Sequence, residues 1–291
     1  MSEIRAWMSL AFIALSMTSL AQDSLSTIKV NVRLVEVYAT VLDHKGKYVD
    51  GLKQGDFKVL EDGKPQRIST FESNTDALSC AILLDTTGSM REALPRVKNS
   101  VVRLIDELGP EDAIAIFTFN DHLTVRQDFT TDKEAAKRAV LRTRAEGSTA
   151  LFDALSEASE ELAKRRGKKA FIFFTDGNDN ASLLTASGAI AHAKTVGIPL
   201  YAIAEGEATH SAELGKVLNE LSESTGGVAY RVKKADDIEE IFHTIADNLR
   251  HLYLLSYKPA EVADGRWRKI DILVSGVDAY RLRAKQGYFP Q

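Results

Sequence analysis

The chain has 291 residues, 44% of them hydrophobic and 27% charged, with 37 Lys and Arg against 41 Asp and Glu for a formal net charge of −4. Apolar content of this order builds a sizeable core and excludes a disordered chain, and the near-neutral balance offers no broad positive field to nucleic acid. The single cysteine, Cys80, excludes an intrachain disulfide and any cysteine cluster for zinc or iron-sulfur.

In chain order, the first predicted element is a leader. Ala6 to Leu15 reads AWMSLAFIAL, an apolar stretch of signal-peptide rather than membrane-spanning length, and Ser19-Leu20-Ala21 places small residues at the −3 and −1 positions of a cleavage site. Residues 1–21 are therefore expected to be a signal peptide, and the protein to be exported to the periplasm or the extracellular space. Glu3 offsets Arg5, which leaves retention as an anchor or a start at Met8 as the alternatives. No later segment is long and apolar enough to span a bilayer.

Residues 22–77 read as a β segment. Apolar residues sit at even positions through Ile28, Val30, Val32 and Leu34, then at odd positions through Val35, Val37, Ala39 and Val41, which predicts a bulge or a change of sheet near Leu34. Turn signals follow at Lys45-Gly46 and Asp62-Gly63.

Residues 78–251 alternate short apolar runs with amphipathic segments of helix length, an α/β pattern. The predicted strands are 80–85, 113–119, 170–176, 198–204 and 228–232, each near-continuously apolar as strands buried on both faces should be. Asn120-Asp121 followed by HLTVRQDF predicts a hairpin and one antiparallel edge strand. Leu151, Ala154, Leu155, Ala158 and Leu162 share one helix face, as do Ile238, Ile241, Phe242, Ile245 and Leu249 after an Asp236-Asp237 start signal. The basic run Lys164, Arg165, Arg166, Lys168 and Lys169 is expected to close a helix, with Gly167 as its terminal residue.

Residues 252–291 are again strand-rich, through YLLSY, WRKIDILV and YRLRAKQGYF. Each flank is marginal alone, but together they approach the size of a β-sandwich. The predicted fold is thus α/β: a doubly wound, mostly parallel sheet over 78–251, inserted into a β-sandwich-like domain that residues 22–77 and 252–291 build jointly.

In an open parallel sheet, ligands bind beyond the carboxyl ends of the strands, where the strand order reverses. Asp85-Thr86-Thr87-Gly88-Ser89 ends the first strand of this region, Gly147-Ser148-Thr149 precedes a helix, and Phe174-Thr175-Asp176-Gly177 ends a third strand. Together they offer two carboxylates, Asp85 and Asp176, with three hydroxyls, Thr87, Ser89 and Thr149. Hard oxygen donors of low total charge suit Mg2+, with Mn2+ or Ca2+ as alternatives. So few carboxylates leave the ion Lewis-acidic enough to take a further carboxylate from a partner.

These three segments resemble the von Willebrand factor A domain and its metal-ion-dependent adhesion site, whose pattern is Asp-x-Ser-x-Ser, then a Thr, then an Asp at a later strand end. The resemblance implies that Thr87, Ser89 and Thr149 supply hydroxyl ligands and that Asp85 and Asp176 bind directly or through water. Thr87 stands where the pattern usually has Ser, so the hydroxyl is kept and a methyl added. The flanks, with VYATVLDHKGKYVDGLKQGDFKVLEDGKPQRISTFE, YLLSYKP and AKQGYF, resemble a bacterial VWFA-related family over roughly residues 27 to 290. That family implies export and gives no defined activity.

The rival reading is an enzyme. DTTGS also resembles the phosphorylation loop of haloacid-dehalogenase-type phosphatases, with TDGND as an acidic Mg2+ loop and Asp85 as nucleophile. Against it, Asp179 lies one residue closer to Asp176 than that family's loop usually shows, and no positioned base accompanies Asp85. No P-loop, dinucleotide-binding fingerprint or serine-nucleophile elbow is present. The expected protein is an exported binder without catalytic residues, which engages an acidic residue of a protein partner through a divalent ion.

Overall fold

The computed structural model describes residues 34–176, 179–234, 237–259 and 264–290. The leader expected at 1–21, and the even-numbered apolar residues Ile28 to Val32, lie outside them.

The elements in chain order are β1 (Val35–Asp43), β2 (Phe57–Glu61), β3 (Lys64–Gln66), β4 (Ile68–Glu72), β5 (Leu78–Asp85), α1 (Leu94–Glu107), β6 (Ala113–Phe119), β7 (Leu123–Thr130), α2 (Lys133–Leu141), α3 (Leu151–Ala163), β8 (Lys168–Thr175), α4 (Ala186–Val196), β9 (Leu200–Ala204), α5 (Ala212–Thr225), β10 (Ala229–Arg231), α6 (Asp237–Arg250), β11 (Tyr253–Tyr257), β12 (Arg268–Val274), β13 (Tyr280–Ala284) and β14 (Gly287–Tyr288).

The central sheet runs β10-β9-β8-β5-β6-β7, parallel except for β7, which pairs antiparallel with β6 as the hairpin signal requires. Every residue of β5 and of β8 is buried, because helices cover both faces of the sheet. The side-chain alternation of β5 divides it between two cores. Cys80, Ile82 and Leu84 pack with Val97, Val101 and Leu104 of α1 and with Phe242, Ile245 and Leu249 of α6. Ala81 and Leu83 face Leu155 and Leu162 of α3, Ile190 of α4 and Leu218 of α5.

Helix ends follow local chemistry. Asp132, Thr185 and Ser211 cap α2, α4 and α5 with side-chain oxygens that accept from the N–H groups of Ala135, Gly188 and Leu214. Gly197 and Gly226 close α4 and α5 at φ of 67° and 87°, a left-handed conformation that a side chain would strain.

Strands of the two flanks pair with each other across the intervening residues 78–251. One four-stranded sheet has the order β13-β1-β11-β4 and the other β14-β12-β2-β3, so each contains strands from both flanks. Val37 lies opposite Leu255, and Val59 opposite Ile272. These residues share one core with Tyr253 and Tyr257. Tyr257 and Tyr288 donate their hydroxyls to buried Glu61 Oε2 at 2.6 and 2.9 Å, which satisfies a charge that the sandwich interior would otherwise expel.

The basic run departs from expectation. Helix α3 ends at Ala163, Gly167 turns the chain at φ 78°, and Lys168 and Lys169 enter β8 as buried residues. Lys169 Nζ pairs with Glu36 Oε2 of β1 at 2.9 Å, and the Lys168 N–H donates to Glu72 Oε2 of β4 at 2.8 Å. The run is thus divided between a helix end and a tie from the central sheet to the sandwich. Among the described residues no helix is long and apolar enough to cross a membrane.

Candidate metal centre

Strand β5 is flanked by β6 on one side and β8 on the other, so the strand order reverses at its carboxyl end. The three sequence segments meet there. Thr86 N–H and Oγ1 both donate to Phe119 O at 2.9 Å, Glu146 N–H donates to Thr86 O at 2.7 Å, and Gly88 N–H donates to Gly147 O at 3.3 Å. These bonds lock the loop after β5 to the end of β6 and to the segment before α3. Gly147 has φ 87°, and a Cβ there would sit 3.0 Å from the Asn120 side chain, so the close approach of the two loops needs glycine.

Four of the five predicted ligands form one hydrogen-bonded chain. Asp85 Oδ1 accepts from Thr87 N–H at 2.9 Å, Thr87 Oγ1 lies 3.0 Å from Ser89 Oγ, and Ser89 Oγ donates to Asp176 Oδ1 at 2.9 Å. Thr149 joins through its backbone: its N–H donates to Asn180 Oδ1 at 3.0 Å, and its carbonyl accepts from the N–H groups of Asn180 and Ala181. Its hydroxyl makes no hydrogen bond among the described residues. The backbone register therefore brings all five residues to one end of the sheet, with side-chain contact shown for four.

Electrostatically the site is acidic, with both carboxylates buried and Ser89 exposed. Burial pushes the Asp85 carboxyl up, opposed by hydrogen bonds from Thr87 and Thr175. Burial also pushes Asp176 up to about 6, with the charges of Asp85 and Glu205 adding to the rise and the Ser89 hydroxyl opposing it. Neither Asp85 nor Asp176 forms an ion pair among the described residues. Two buried carboxylates beside the hydroxyls of Thr87 and Ser89, with no ion pair on either acid among the described residues, suit a divalent ion, which would supply the missing counter-charge. Among the described residues no group of three or more His, Cys, Asp or Glu is gathered as a metal site, so an ion here would depend on the hydroxyl oxygens.

The enzymatic reading meets a different geometry. Asp85 is 0% exposed, with Oδ1 engaged by Thr87 and Oδ2 by the Thr175 hydroxyl at 2.9 Å. Asp179, the second acid of that reading, caps α3 by accepting from Phe152 N–H at 3.0 Å.

Three supporting residues escaped the motif: Thr175, Asn180 and Glu205. Thr175 reads as an ordinary strand residue and Asn180 as a solvated loop. Glu205 carried a usable signal, since it follows the apolar run LYAIA directly, as Asp176 follows the run of β8.

The fold is that of a doubly wound α/β domain with a mostly parallel central sheet and flanking antiparallel sheets. Residues 80–244, more than half of the chain, match the von Willebrand factor type A domain family, and the chain belongs to it. An uncharacterized protein of Synechocystis sp. is 32% identical over 108 residues, which is 35% of this chain and 26% of that relative. The match thus spans about a quarter of the relative's length. Among solved structures, the von Willebrand factor type A protein from Catenulispora acidiphila is 14% identical, with a TM-score of 0.53, over 90% of this chain and 76% of that one. A D319A mutant of the PilB minor pilin from Streptococcus sanguinis is 12% identical, with a TM-score of 0.51, over 60% of this chain and 62% of the pilin. At these identities the likeness is one of fold.

Proposed function

We propose that Asp85, Thr87, Ser89, Thr149 and Asp176 hold a divalent cation, Mg2+ by the chemistry of the donors with Mn2+ or Ca2+ as alternatives. Through it the protein binds a carboxylate of a protein partner, in adhesion or complex assembly rather than catalysis. The observation that carries this reading is the Ser89 to Asp176 hydrogen bond, which joins the first and last motif segments across 87 residues of chain. Bound there, the ion supplies Lewis acidity toward an incoming carboxylate. The chain's own residues position it: Thr87 and Ser89 present hydroxyls from the loop after β5, and Asp176 presents a carboxylate from the end of β8. Membership of a family whose domains generally mediate protein interactions supports the choice of a protein partner. The 1–21 leader pattern supports export to the periplasm or beyond, which N-terminal sequencing of the protein from cell fractions would check.

Titration with Mg2+ by calorimetry, followed by partner capture with and without EDTA, tests the function. Asp85→Ala should abolish both ion binding and capture while the circular dichroism spectrum is kept. Capture that persists unchanged in EDTA would overturn the reading.

A further inference from the structure

A third carboxylate stands beside Asp176 that the motif does not contain. Thr175 of β8 pairs with Ala204 of β9, and the next residue, Glu205, donates its N–H to Thr175 O at 3.0 Å. Asp176 and Glu205 therefore leave the sheet from adjacent strand ends. Ala208 N–H donates to Asp176 O at 2.9 Å and keeps the two segments together. A Cβ on Gly206 would lie only 3.5 Å from Asp176 Cβ, so the approach is close.

Glu205 is 7% exposed. Its Oε1 accepts from Arg96 Nη2 at 2.6 Å, a bond that reaches 109 residues back to α1, the helix that follows the Ser89 turn. Its Oε2 is buried and has no hydrogen-bond partner among the described residues. A buried carboxylate oxygen left without a partner is costly, so this oxygen calls for a donor that the described chain does not supply. Mg2+ dehydrates reluctantly and keeps several of its waters, and such a water is a strong donor. Among the described residues Asp85, Asp176 and Glu205 are not gathered as a three-acid ligand set. The charges balance as well: three carboxylates against the one guanidinium of Arg96 leave the charge that one divalent ion neutralises.

We propose that Glu205, held by Arg96, is a positioning residue of the metal site that accepts a hydrogen bond from a water carried by the ion. The inference rests on the divalent-cation reading above. Outer carboxylates of this kind orient what the ion carries and raise its affinity. Arg96 has the opposite electrostatic sense, since its positive charge opposes the cation while its hydrogen bond fixes Glu205.

The test is Mn2+ titration of the full chain by electron paramagnetic resonance, with proton relaxation to count waters on the bound ion. Glu205→Gln keeps the size and the Arg96 contact and should weaken Mn2+ about tenfold with the number of bound waters unchanged. Arg96→Met removes the hydrogen bond that holds Glu205 together with a charge that opposes the cation, so the two effects offset and Mn2+ affinity should change less than in Glu205→Gln. Wild-type affinity in Glu205→Gln would overturn the proposal, as would a gained water on the ion, which would make Glu205 a direct ligand. Equal weakening in both variants with a lowered thermal midpoint in EDTA would reduce the pair to a structural brace, and would also overturn it. Wild-type protein that binds no Mn2+, or an Asp85→Ala protein that binds it normally, would overturn the metal reading itself, so the two failures are distinguishable.

Discussion

Thr175 Oγ1 donates to Asp85 Oδ2 at 2.9 Å, and this bond ties the carboxyl end of β5 to that of β8. Asp85 has no exposure, so its carboxylate depends on neighbouring donors for solvation. Thr175 thereby fixes the orientation of one acid while its chain neighbour, Asp176, supplies the other.

Replacing Thr175 by Val keeps the shape and removes the donor. The metal-free protein should lose about 2 kcal/mol, the cost of unpairing a buried charged acceptor. Mg2+ affinity should fall about tenfold as the carboxylate loses its orientation. Urea unfolding in EDTA measures the first effect and calorimetry the second. Unaltered affinity would mean that Asp85 is held by Thr87 alone.

The raised carboxyl of Asp176 predicts a pH dependence with a definite sign. Its folded value of about 6 lies above the ordinary 3.8, so between those values the metal-free folded state binds more protons than the unfolded one. Stability contributed by this group is present below pH 4 and is lost as pH rises through about 6. Asp176→Asn should therefore be more stable than the wild type in EDTA at pH 7.5, with the difference vanishing near pH 4. Added Mg2+ should stabilise the wild type more at pH 7.5 than at pH 5, because the ion competes with the proton for the same carboxylate. Thermal melts at the three pH values check both statements.

The ties between sheet and sandwich are testable separately from the site. Lys169 is buried and depends on Glu36, whose Oε2 also accepts from the Tyr38 hydroxyl at 2.7 Å. Glu36→Gln leaves a buried ammonium without its counter-charge and should cost about 3 kcal/mol, the lower end for a broken buried pair because Glu36 is partly exposed. Lys169→Met in the same chain should recover much of that loss. Equal destabilisation in the single and double variants, measured by denaturant unfolding, would show that the charge pairing itself contributes little.

The central strands are legible in the sequence because burial on both faces writes a continuous apolar run. Strand β6 occupies 113–119, the residues that the pattern predicts. Where burial is reached by pairing rather than by apolarity, the pattern is silent: Lys168 and Lys169 read as part of a basic helix end, yet acids from the N-terminal flank meet them inside. The candidate site follows the same division. Asp85, Thr87, Ser89 and Asp176 carry a local spacing that can be recognised one segment at a time. Glu205 depends on Arg96, far away in sequence, so only the folded chain reveals why a carboxylate lies buried there. The sandwich is intermediate, because the two flanks read as strands, whereas the mixing of flanks within each sheet follows from pairing across the intervening residues 78–251.

Leu183 offers a last prediction, in the loop whose Asn180 bonds to Thr149. It is 96% exposed, yet its backbone is firmly held: Asp153 accepts from the N–H groups of Leu183 and Leu184 at 2.8 and 2.9 Å. Ser182 N–H donates to Asp179 at 3.1 Å, and two residues earlier Asn180 bonds to Thr149. The loop thus displays a large apolar side chain at little further entropic cost, beside residues assigned to the ion. A partner that places a carboxylate on the ion would gain apolar burial by covering Leu183, at roughly 25 cal/mol per Å² removed from water. Leu183→Asp should therefore reduce Mg2+-dependent partner capture by tenfold or more, since it removes the apolar contact and repels an acidic ligand. Calorimetric Mg2+ binding and the thermal midpoint should stay at wild-type values, because the side chain supports nothing within the fold. Capture that survives the substitution at full strength would place the partner on another side of the ion.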